Sequence, residues 1–263
     1  MVHPGGMQRH LLLGRDHGRF GALHVATVAP GVAVAISAGQ DPLSPSMRSK
    51  GELPNEDGLL VASDGDTLWL AVADAHFGAS ASHVVLTALA EVLAPPAEGG
   101  ERTSSPPTEP RLWLAAAAAA CPKADPTDIS GTTLVLLILN RRTGQGQGLS
   151  VGDSSCVQVS PTQATWGNTL APHYLHLVRP DDFRVGQTFA VTLAPGELLL
   201  LFTDGINECH YGSPKTSVGA ADLVELYGPD PLSYARRLAA RALNGVGGHP
   251  GGQDNIALIV VRG

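Results

Sequence analysis

The chain has 263 residues, of which 43% are hydrophobic, and it carries 24 acidic and 17 basic side chains for a formal net charge of −7. That length and apolar share suffice to bury a substantial core. The excess of acidic residues argues against nucleic acid and anionic membranes as partners. The longest apolar stretch, at residues 112–121, is far shorter than the roughly 20 residues that span a bilayer.

The N-terminus and the cysteines indicate the cellular compartment. The opening segment MVHPGGMQRHLLLG contains a run of three leucines, which is shorter than the apolar run of a signal peptide. Cys121, Cys156 and Cys209 are far apart and form no CxxC pair, so we predict neither a structural zinc site nor a disulfide framework. We therefore expect a cytosolic protein.

In the first half of the chain, period-two patterns predict strands and helical spacing predicts helices. In chain order, these elements are two short strands within residues 23–39, a turn-rich loop at 40–54, strands at 58–63 and 67–74, a helix at 80–93, a loop rich in Pro and Gly at 94–110, and a helix at 111–121.

The second half returns mainly to strands. The elements are a fully buried strand at 131–140, a Gly-rich hairpin turn at 141–148, strands at 149–159 and 198–204, a helical region at 218–243 interrupted near Gly228 and Pro229, and a last strand at 256–261. No helix follows GQGQG at 144–148, which disfavours a phosphate-binding loop there. We predict one α+β domain over residues 1–263, with sheet packed on sheet, helices outside and residues 1–30 as an N-terminal extension.

Acidic residues recur at the ends of the predicted strands. Asp57 and Asp254 each come just before a strand, and Asp74 and Asp204 each end one. Carboxylates held by rigid elements could converge on hard cations such as Mg²⁺ or Mn²⁺. The alternative is that these residues only form turns, which Asp often does at strand ends.

Six short motifs place these acidic residues in context. They are NED at 55–57, VADAHFG at 72–78, DISGTT at 128–133, VGDS at 151–154, FTDG at 202–205 and GQDNI at 252–256. Each is weak alone, but together and in this order they resemble the motifs of the bacterial metal-dependent serine/threonine phosphatases of the PP2C (PPM) type. The resemblance implies a sandwich of two antiparallel sheets flanked by helices, in four αββα layers.

The resemblance also implies roles for individual residues. The implied ligands of two Mg²⁺ or Mn²⁺ ions are Asp57 as the bridge, Asp74 and the carbonyl of Ala75 on one ion, Asp204 and Asp254 on the other, Glu56 through a coordinated water, and Asp128 for a weaker third ion. His76 matches the family's general acid, and an ordinary His pKa of about 6.5 suits proton donation at neutral pH. Asn255 is assigned a supporting position beside these ligands.

The sequence departs from the family pattern at several points. Glu52 stands where the family has an Arg that grips the phosphate, so Arg48 and Lys50 become the candidate phosphate-binding residues. Ala75 replaces a Gly, and Ser155 replaces an Arg. The stretch from 154 to 204 is short for the family, so the flap beside the active site is expected to be reduced.

We therefore predict a cytosolic phosphoprotein phosphatase that acts on phosphoserine and phosphothreonine, opposing a serine/threonine kinase. Two cations about 3.5–4 Å apart activate a bridging water for direct attack on phosphorus, without a phosphoenzyme. Two alternatives stay open: a catalytically weak PP2C-like regulatory or binding module, and a phosphohydrolase for small molecules.

Overall fold

Two antiparallel sheets form the centre of the structure, a computed structural model that describes residues 7–49, 54–77, 80–94, 106–120, 130–171, 173–176 and 186–263. The strands are β1 (Gln8–Leu13), β2 (His24–Ala29), β3 (Val32–Ser37), β4 (Asp57–Asp64), β5 (Thr67–His76), β6 (Gly131–Thr132), β7 (Leu134–Asn140), β8 (Gln145–Val151), β9 (Ser155–Val159), β10 (Ala164–Trp166), β11 (Leu175–His176), β12 (Gln187–Thr192), β13 (Leu198–Phe202) and β14 (Ile256–Arg262). The α-helices are α1 (Pro45–Ser49), α2 (Ser80–Val92), α3 (Pro110–Ala120), α4 (Ala220–Glu225) and α5 (Pro231–Asn244).

Each sheet is a continuous ladder of antiparallel pairs. The first has the order β1-β4-β5-β7-β8-β12, and β6 joins it by pairing with β5 and with β11. The second has the order β10-β9-β13-β14-β3-β2. The chain passes from the first sheet to the second between β8 and β9, at the VGDS motif, so the strand predicted over 149–159 is two strands that lie in different sheets.

The alternation of side chains along the strands produces three apolar layers. In β13, Leu199 and Leu201 belong to the core between the sheets, whereas Leu198, Leu200 and Phe202 belong to the core beneath α4 and α5. A third core lies between the first sheet and the pair α2 and α3. The four αββα layers predicted from the family resemblance are thus confirmed.

The positions of the outer helices are fixed by a buried tryptophan in one helix layer and by an N-cap residue in the other. On the first sheet, the fully buried Trp113 of α3 donates its indole N–H to the carbonyl of Leu89 in α2 at 3.0 Å. On the second, α5 begins at Pro231 after Asp230, whose carboxylate accepts the N–H of Ser233 at 2.8 Å. This N-cap explains why the helix predicted over 218–243 restarts after its Gly-Pro interruption.

The hairpin turn predicted over 141–148 joins β7 and β8 but ends at residue 144, and the rest of this Gly-rich segment is strand. Strand β8 begins at Gln145. Its Gly146 and Gly148 have no side chains, which leaves room for side chains of the neighbouring strand β12. A Cβ at Gly146 would lie 2.7 Å from Val191, and one at Gly148 would lie 2.1 Å from the ring of Phe189. Both neighbours are in β12, which therefore packs closely against β8.

The N-terminal segment contributes to both sheets. Strand β1 pairs with β4, and β2 pairs with β3, so much of the predicted extension over residues 1–30 is built into the sandwich. The loop predicted over 40–54 contains the short helix α1. No helix of the described residues is long and apolar enough to cross a membrane.

Candidate active site

Antiparallel pairing gathers the conspicuous acidic residues at one end of the sandwich, because the end of one strand lies beside the start of its neighbour. Asp57 opens β4 and is paired directly with Asp74 near the end of β5. In the second sheet β13 pairs with β14, so Asp204, just after β13, and Asp254, just before β14, lie at one end too. These four residues are nearly buried, with exposures of 1–8%.

A cavity of about 420 Å³ opens at this end of the sandwich. Its lining includes five carboxylates, those of Glu56, Asp153, Asp204, Glu208 and Asp254, together with the predicted general acid His76. The part of the lining that the structure describes contains no Lys or Arg. A second cavity of similar size beside α3 contains none of the predicted site residues.

Thr203 connects the two sheets beneath this cavity. Its hydroxyl donates a hydrogen bond of 2.6 Å to Asp57 Oδ2, and it accepts the backbone N–H of Ala257 at 2.9 Å. Thr203 follows β13 in the second sheet, whereas Asp57 opens a strand of the first. The Thr of the FTDG motif therefore holds the carboxylate that the family resemblance assigns to a metal bridge.

Asn255 holds the NED segment against the last strand. Its side-chain amide donates to the carbonyls of Pro54 and Ala38 at 2.8 and 3.1 Å, and its Oδ1 accepts the backbone N–H of Glu56 at 2.9 Å. The backbone N–H of Asn255 in turn binds Asp254 Oδ1 at 2.8 Å. Asn255 thus orients Glu56 and Asp254 together, and its supporting role beside the metal ligands stays a prediction.

The backbone around Ala75 tolerates a side chain. Ala75 is in strand β5 and pairs with Thr132. Positive φ occurs two residues later instead, at Phe77 (φ 64°). The carbonyl of the preceding residue, Asp74, accepts hydrogen bonds from the Thr133 N–H at 2.8 Å and from the Thr132 hydroxyl at 2.9 Å. The replacement of Gly by Ala therefore introduces no backbone strain at this position.

His76 lies between a carboxylate and an aromatic ring. Its Nε2 is 3.3 Å from Asp74 Oδ2, and its ring centroid is 4.4 Å from that of Tyr174. The imidazole is 29% exposed, so it faces the cavity while two neighbours restrict its rotation. This placement allows a proton to pass between His76 and a group bound in the cavity.

Burial and neighbouring negative charges raise the pKa values of two carboxyl groups in the cavity, those of Asp204 and Asp153. For Asp204, burial and the charges of Asp74 and Asp254 raise the pKa well above its ordinary value. For Asp153, burial and the charge of Asp74 raise it, although His76 opposes the shift. Each of these carboxylates is therefore unfavourable in its ionised form unless a positive charge comes close to it.

A divalent cation fits this donor set. Carboxylate oxygens are hard ligands of the kind that Mg²⁺ and Mn²⁺ prefer, and Asp153 Oδ1 is buried without a hydrogen-bond partner among the described residues. No three His, Cys, Asp or Glu side chains in the described ranges are close enough to form a coordinating group by themselves. Mutual repulsion of like charges opposes such a grouping, and a bound cation would offset it.

Two acidic residues of the cavity were missed as site residues in the sequence. Asp153 lies within VGDS, at the crossing from β8 to β9, and Glu208 lies in the turn after Asp204, where its N–H binds the Asp204 carbonyl at 2.6 Å. The motif itself was a usable signal for Asp153. For Glu208 the only signal was its separation of four residues from Asp204.

The remaining predicted residues have less structural support. Asp128, predicted as a ligand of a third ion, and Lys50, predicted to bind phosphate, lie outside the described residues. Arg48 is on α1 and exposed, and it is not part of the described lining, to which α1 contributes Ser46. Phosphate binding by Arg48 or Lys50 stays a prediction.

Replacing Thr203 with Val is expected to lower the free energy of unfolding by about 1–3 kcal/mol, because the buried Asp57 carboxylate loses a donor and the Ala257 N–H loses its side-chain acceptor. Thr203→Ser keeps the hydroxyl and is expected to stay much closer to the wild-type protein. Urea denaturation of the three proteins in chelator measures the difference. Equal losses in both variants would contradict the role of the hydroxyl.

Comparisons with known proteins agree with this fold. The family model described as stage II sporulation protein E (SpoIIE) matches residues 64–263. The comparison with curated proteins gave no match.

Solved structures of phosphatases superpose over most of the chain. The PPM Ser-Thr phosphatase MsPP from Mycobacterium smegmatis, in complex with cacodylate, is 22% identical with a TM-score of 0.61 and covers 88% of this chain and 97% of its own. The catalytic domain of the serine threonine protein phosphatase PstP, in complex with 2 manganese ions, is 19% identical with a TM-score of 0.59. The match covers 92% of this chain and 99% of that domain.

RsbX in complex with magnesium is 16% identical, with a TM-score of 0.56, and covers 92% of this chain and 99% of its own. At such identities these likenesses establish the fold. Together with the family match they confirm the predicted resemblance to PP2C-type phosphatases.

Proposed function

The chain belongs to the SpoIIE family and has the fold of PP2C-type serine/threonine phosphatases, and on this premise we propose that it is a metal-dependent protein phosphatase for phosphoserine and phosphothreonine. The observation that carries the proposal is the group of carboxylates around one cavity, with His76 at the same opening. The magnesium and manganese held by the neighbours RsbX and PstP support a divalent metal.

Each part of the site has a role under this proposal. Asp57, Asp74, Asp204 and Asp254, with the Ala75 carbonyl and with Glu56 through water, would hold two Mg²⁺ or Mn²⁺ ions. Such a pair of ions lowers the pKa of a water between them and neutralises phosphoryl oxygens. Asp153 and Glu208 supply further negative charge in the same cavity, and they are the described candidates for any third ion.

His76 would donate a proton to the departing serine or threonine oxygen. Its distance of 3.3 Å from Asp74 Oδ2 keeps one ring nitrogen directed at a carboxylate, and the ring of Tyr174 limits its rotation. Proton transfer by a positioned side chain contributes about 10²- to 10⁴-fold to a rate. The proposed nucleophile is water and not a side chain of the protein, so the phosphoryl group would pass directly to water and no phosphoenzyme would form.

The partner that follows from this chemistry is a phosphorylated protein. A cytosolic location stays a prediction. The chief alternative is a regulatory module with the same fold, and the observation that favours it is the lack of Lys or Arg in the described cavity lining, since bidentate Arg contacts are a common way to hold a phosphate.

Hydrolysis assays with purified protein separate these functions. We expect p-nitrophenyl phosphate and a phosphothreonine peptide to be hydrolysed in Mn²⁺ or Mg²⁺ and not in excess chelator. Folded protein that binds Mn²⁺, measured by calorimetry, but hydrolyses neither compound would support the regulatory module. Hydrolysis of nucleotide or sugar phosphates in preference to the peptide would indicate a small-molecule phosphohydrolase.

A further inference from the structure

Three aromatic side chains surround the opening of the acidic cavity. Phe77, Tyr174 and Tyr211 all line it, and Phe77 and Tyr211 are 70% and 43% exposed. Large aromatic side chains exposed at the edge of a cavity are typical of binding surfaces. We refer to these three residues as the aromatic rim.

Phe77 occupies a left-handed backbone position that is unfavourable for a bulky side chain. Its φ is 64°, and it is the single non-glycine residue with positive φ among those the structure describes. A bulky side chain in this region of φ costs free energy, whereas Gly would adopt it without strain. The strained turn nevertheless presents the phenyl ring at the cavity, one residue after His76.

The charge around the rim is uniformly negative in the part of the lining that the structure describes. Glu56, Asp153, Asp204, Glu208 and Asp254 contribute carboxylates, and no Lys or Arg offsets them. Two of the five, Asp153 and Glu208, are not needed to hold the two ions of the proposed function. The chain as a whole has a formal charge of −7, so the surrounding field also attracts cations.

We propose that the aromatic rim is a subsite for an Arg or Lys side chain next to the phosphorylated residue of the substrate. The proposal rests on the proposed function and adds the substrate class to it, a phosphopeptide with basic flanking residues. A cation over the face of an aromatic ring is attracted by the negative charge of that face. Asp153 and Glu208, the two lining carboxylates that are not assigned to the two ions, add attraction for a basic flank and repulsion for an acidic one.

Arg is the better occupant of such a subsite. Its guanidinium group is planar and weakly hydrated, so it stacks on an aromatic ring at a lower cost in lost hydration than an ammonium group does. Its five N–H donors can also reach a carboxylate such as that of Glu208 while the plane of the group contacts a ring. We therefore expect the order Arg, Lys, Gln, Glu for the flanking residue.

The test uses phosphothreonine peptides of equal length in which the flanking residues are Arg, Lys, Gln or Glu, assayed in Mn²⁺ at low and high salt. We expect kcat/KM to be about tenfold or more higher for the Arg peptide than for the Glu peptide at low salt, chiefly through KM, and the difference to shrink as salt screens the carboxylates. The Phe77→Ala and Phe77→Leu variants should each reduce the ratio of the Arg to the Gln peptide by about 2- to 5-fold, because both lack the aromatic face.

A matched control removes an exposed apolar side chain elsewhere. Leu112 on α3 is 56% exposed and does not line the acidic cavity, so Leu112→Ala should leave all peptide ratios as in the wild-type protein. Tyr211→Ala provides an independent variant of the rim in case the turn at Phe77 rearranges. A Phe77→Leu variant with the full preference for Arg would overturn the aromatic part of the proposal.

Failure of this proposal and failure of the proposed function give different results. Equal kcat/KM for all four peptides, with metal-dependent turnover intact, would overturn the subsite alone. No turnover of any peptide or of p-nitrophenyl phosphate would overturn the proposed function. In that case the dissociation constants of the unphosphorylated peptides test the subsite. The proposal requires the affinity to fall in the order Arg, Lys, Gln, Glu. Any other order would overturn it.

Discussion

The Asp204→Asn variant is expected to hydrolyse p-nitrophenyl phosphate in Mn²⁺ about 10³-fold more slowly than the wild-type protein, which corresponds to about 4 kcal/mol of lost transition-state stabilisation. Asp204 is nearly buried, lines the acidic cavity and has its pKa raised by burial and by its acidic neighbours. Under the proposed function Asp204 is a metal ligand. In the Asn variant the neutral amide oxygen replaces the charged carboxylate oxygen, and it binds a divalent cation more weakly. The measurement is kcat at saturating Mn²⁺ together with the apparent affinity for Mn²⁺.

The stability of the same variant separates lost chemistry from lost folding. The folded state holds the Asp204 proton more tightly than the unfolded chain does, because its pKa is raised. Ionised Asp204 therefore disfavours folding in the absence of metal, and its contribution becomes more unfavourable as pH rises through that pKa. In chelator at neutral pH, the Tm of Asp204→Asn should be at least as high as that of the wild-type protein.

Asp66→Asn is the matched control for this charge. Asp66 lies in the turn between β4 and β5, at the other end of the strands that carry Asp57 and Asp74, and its carboxylate is 61% exposed. It should keep both wild-type activity and wild-type Mn²⁺ affinity. Undiminished turnover in Asp204→Asn would remove Asp204 from the proposed metal site, and a marked loss in Asp66→Asn would show that the effect of Asp204 is not local.

Replacing Gly205 with Ala is expected to destabilise the protein by about 3 kcal/mol or more, because the added methyl group has no space. A Cβ at Gly205 would lie 1.7 Å from the backbone oxygen of Asn255. Asn255 in turn holds Glu56 and the NED segment, so the displacement would reach the acidic cavity. For a chain of this size, about 3 kcal/mol corresponds to a fall in Tm of about 6–12 °C.

Gly219→Ala tests whether the loss is specific to this close approach. Gly219 precedes α4 with a φ of −118°, and no atom would lie within 4 Å of an added Cβ. Its Ala variant should unfold close to the wild-type temperature and keep its activity. If Gly205→Ala were as stable as Gly219→Ala, the FTDG and GQDNI motifs would not be packed as closely as the structure has them.

The strands of the core were predictable from local patterns. Alternation within residues 23–39 and 58–74 predicted β2 to β5, and Pro30 with Gly31 marked the break between β2 and β3. Strands β10 and β11 and the two edge strands β1 and β12 were not predicted. The two or three residues of β10 and β11 are too few to show a period, and QRHLLL of β1 alternates poorly. Their pairing partners, which are distant in the sequence, stabilise them.

The Gly-rich strand β8 shows a second limit of local reasoning. A run of Gly and Gln has low strand propensity, and by itself it indicates a turn. In the folded chain the side chains of Val191 and Phe189 cover Gly146 and Gly148 and compensate for that weakness. Packing between strands far apart in the sequence outweighed the intrinsic preference of the segment.

Sequence alone was enough to identify the motifs, their order and the residue types that suit hard cations. These depend only on which side chains are present and on their spacing along the chain. It could not show that Thr203 bridges the sheets to Asp57, that Asp153 and Glu208 share the cavity of Asp204, or that Phe77 with Tyr211 borders it. These relations arise when antiparallel pairing and packing of the two sheets bring distant strand ends to one place. Distances between such ends depend on register and on sheet-to-sheet packing, which are set by the sum of many contacts and not by any single segment.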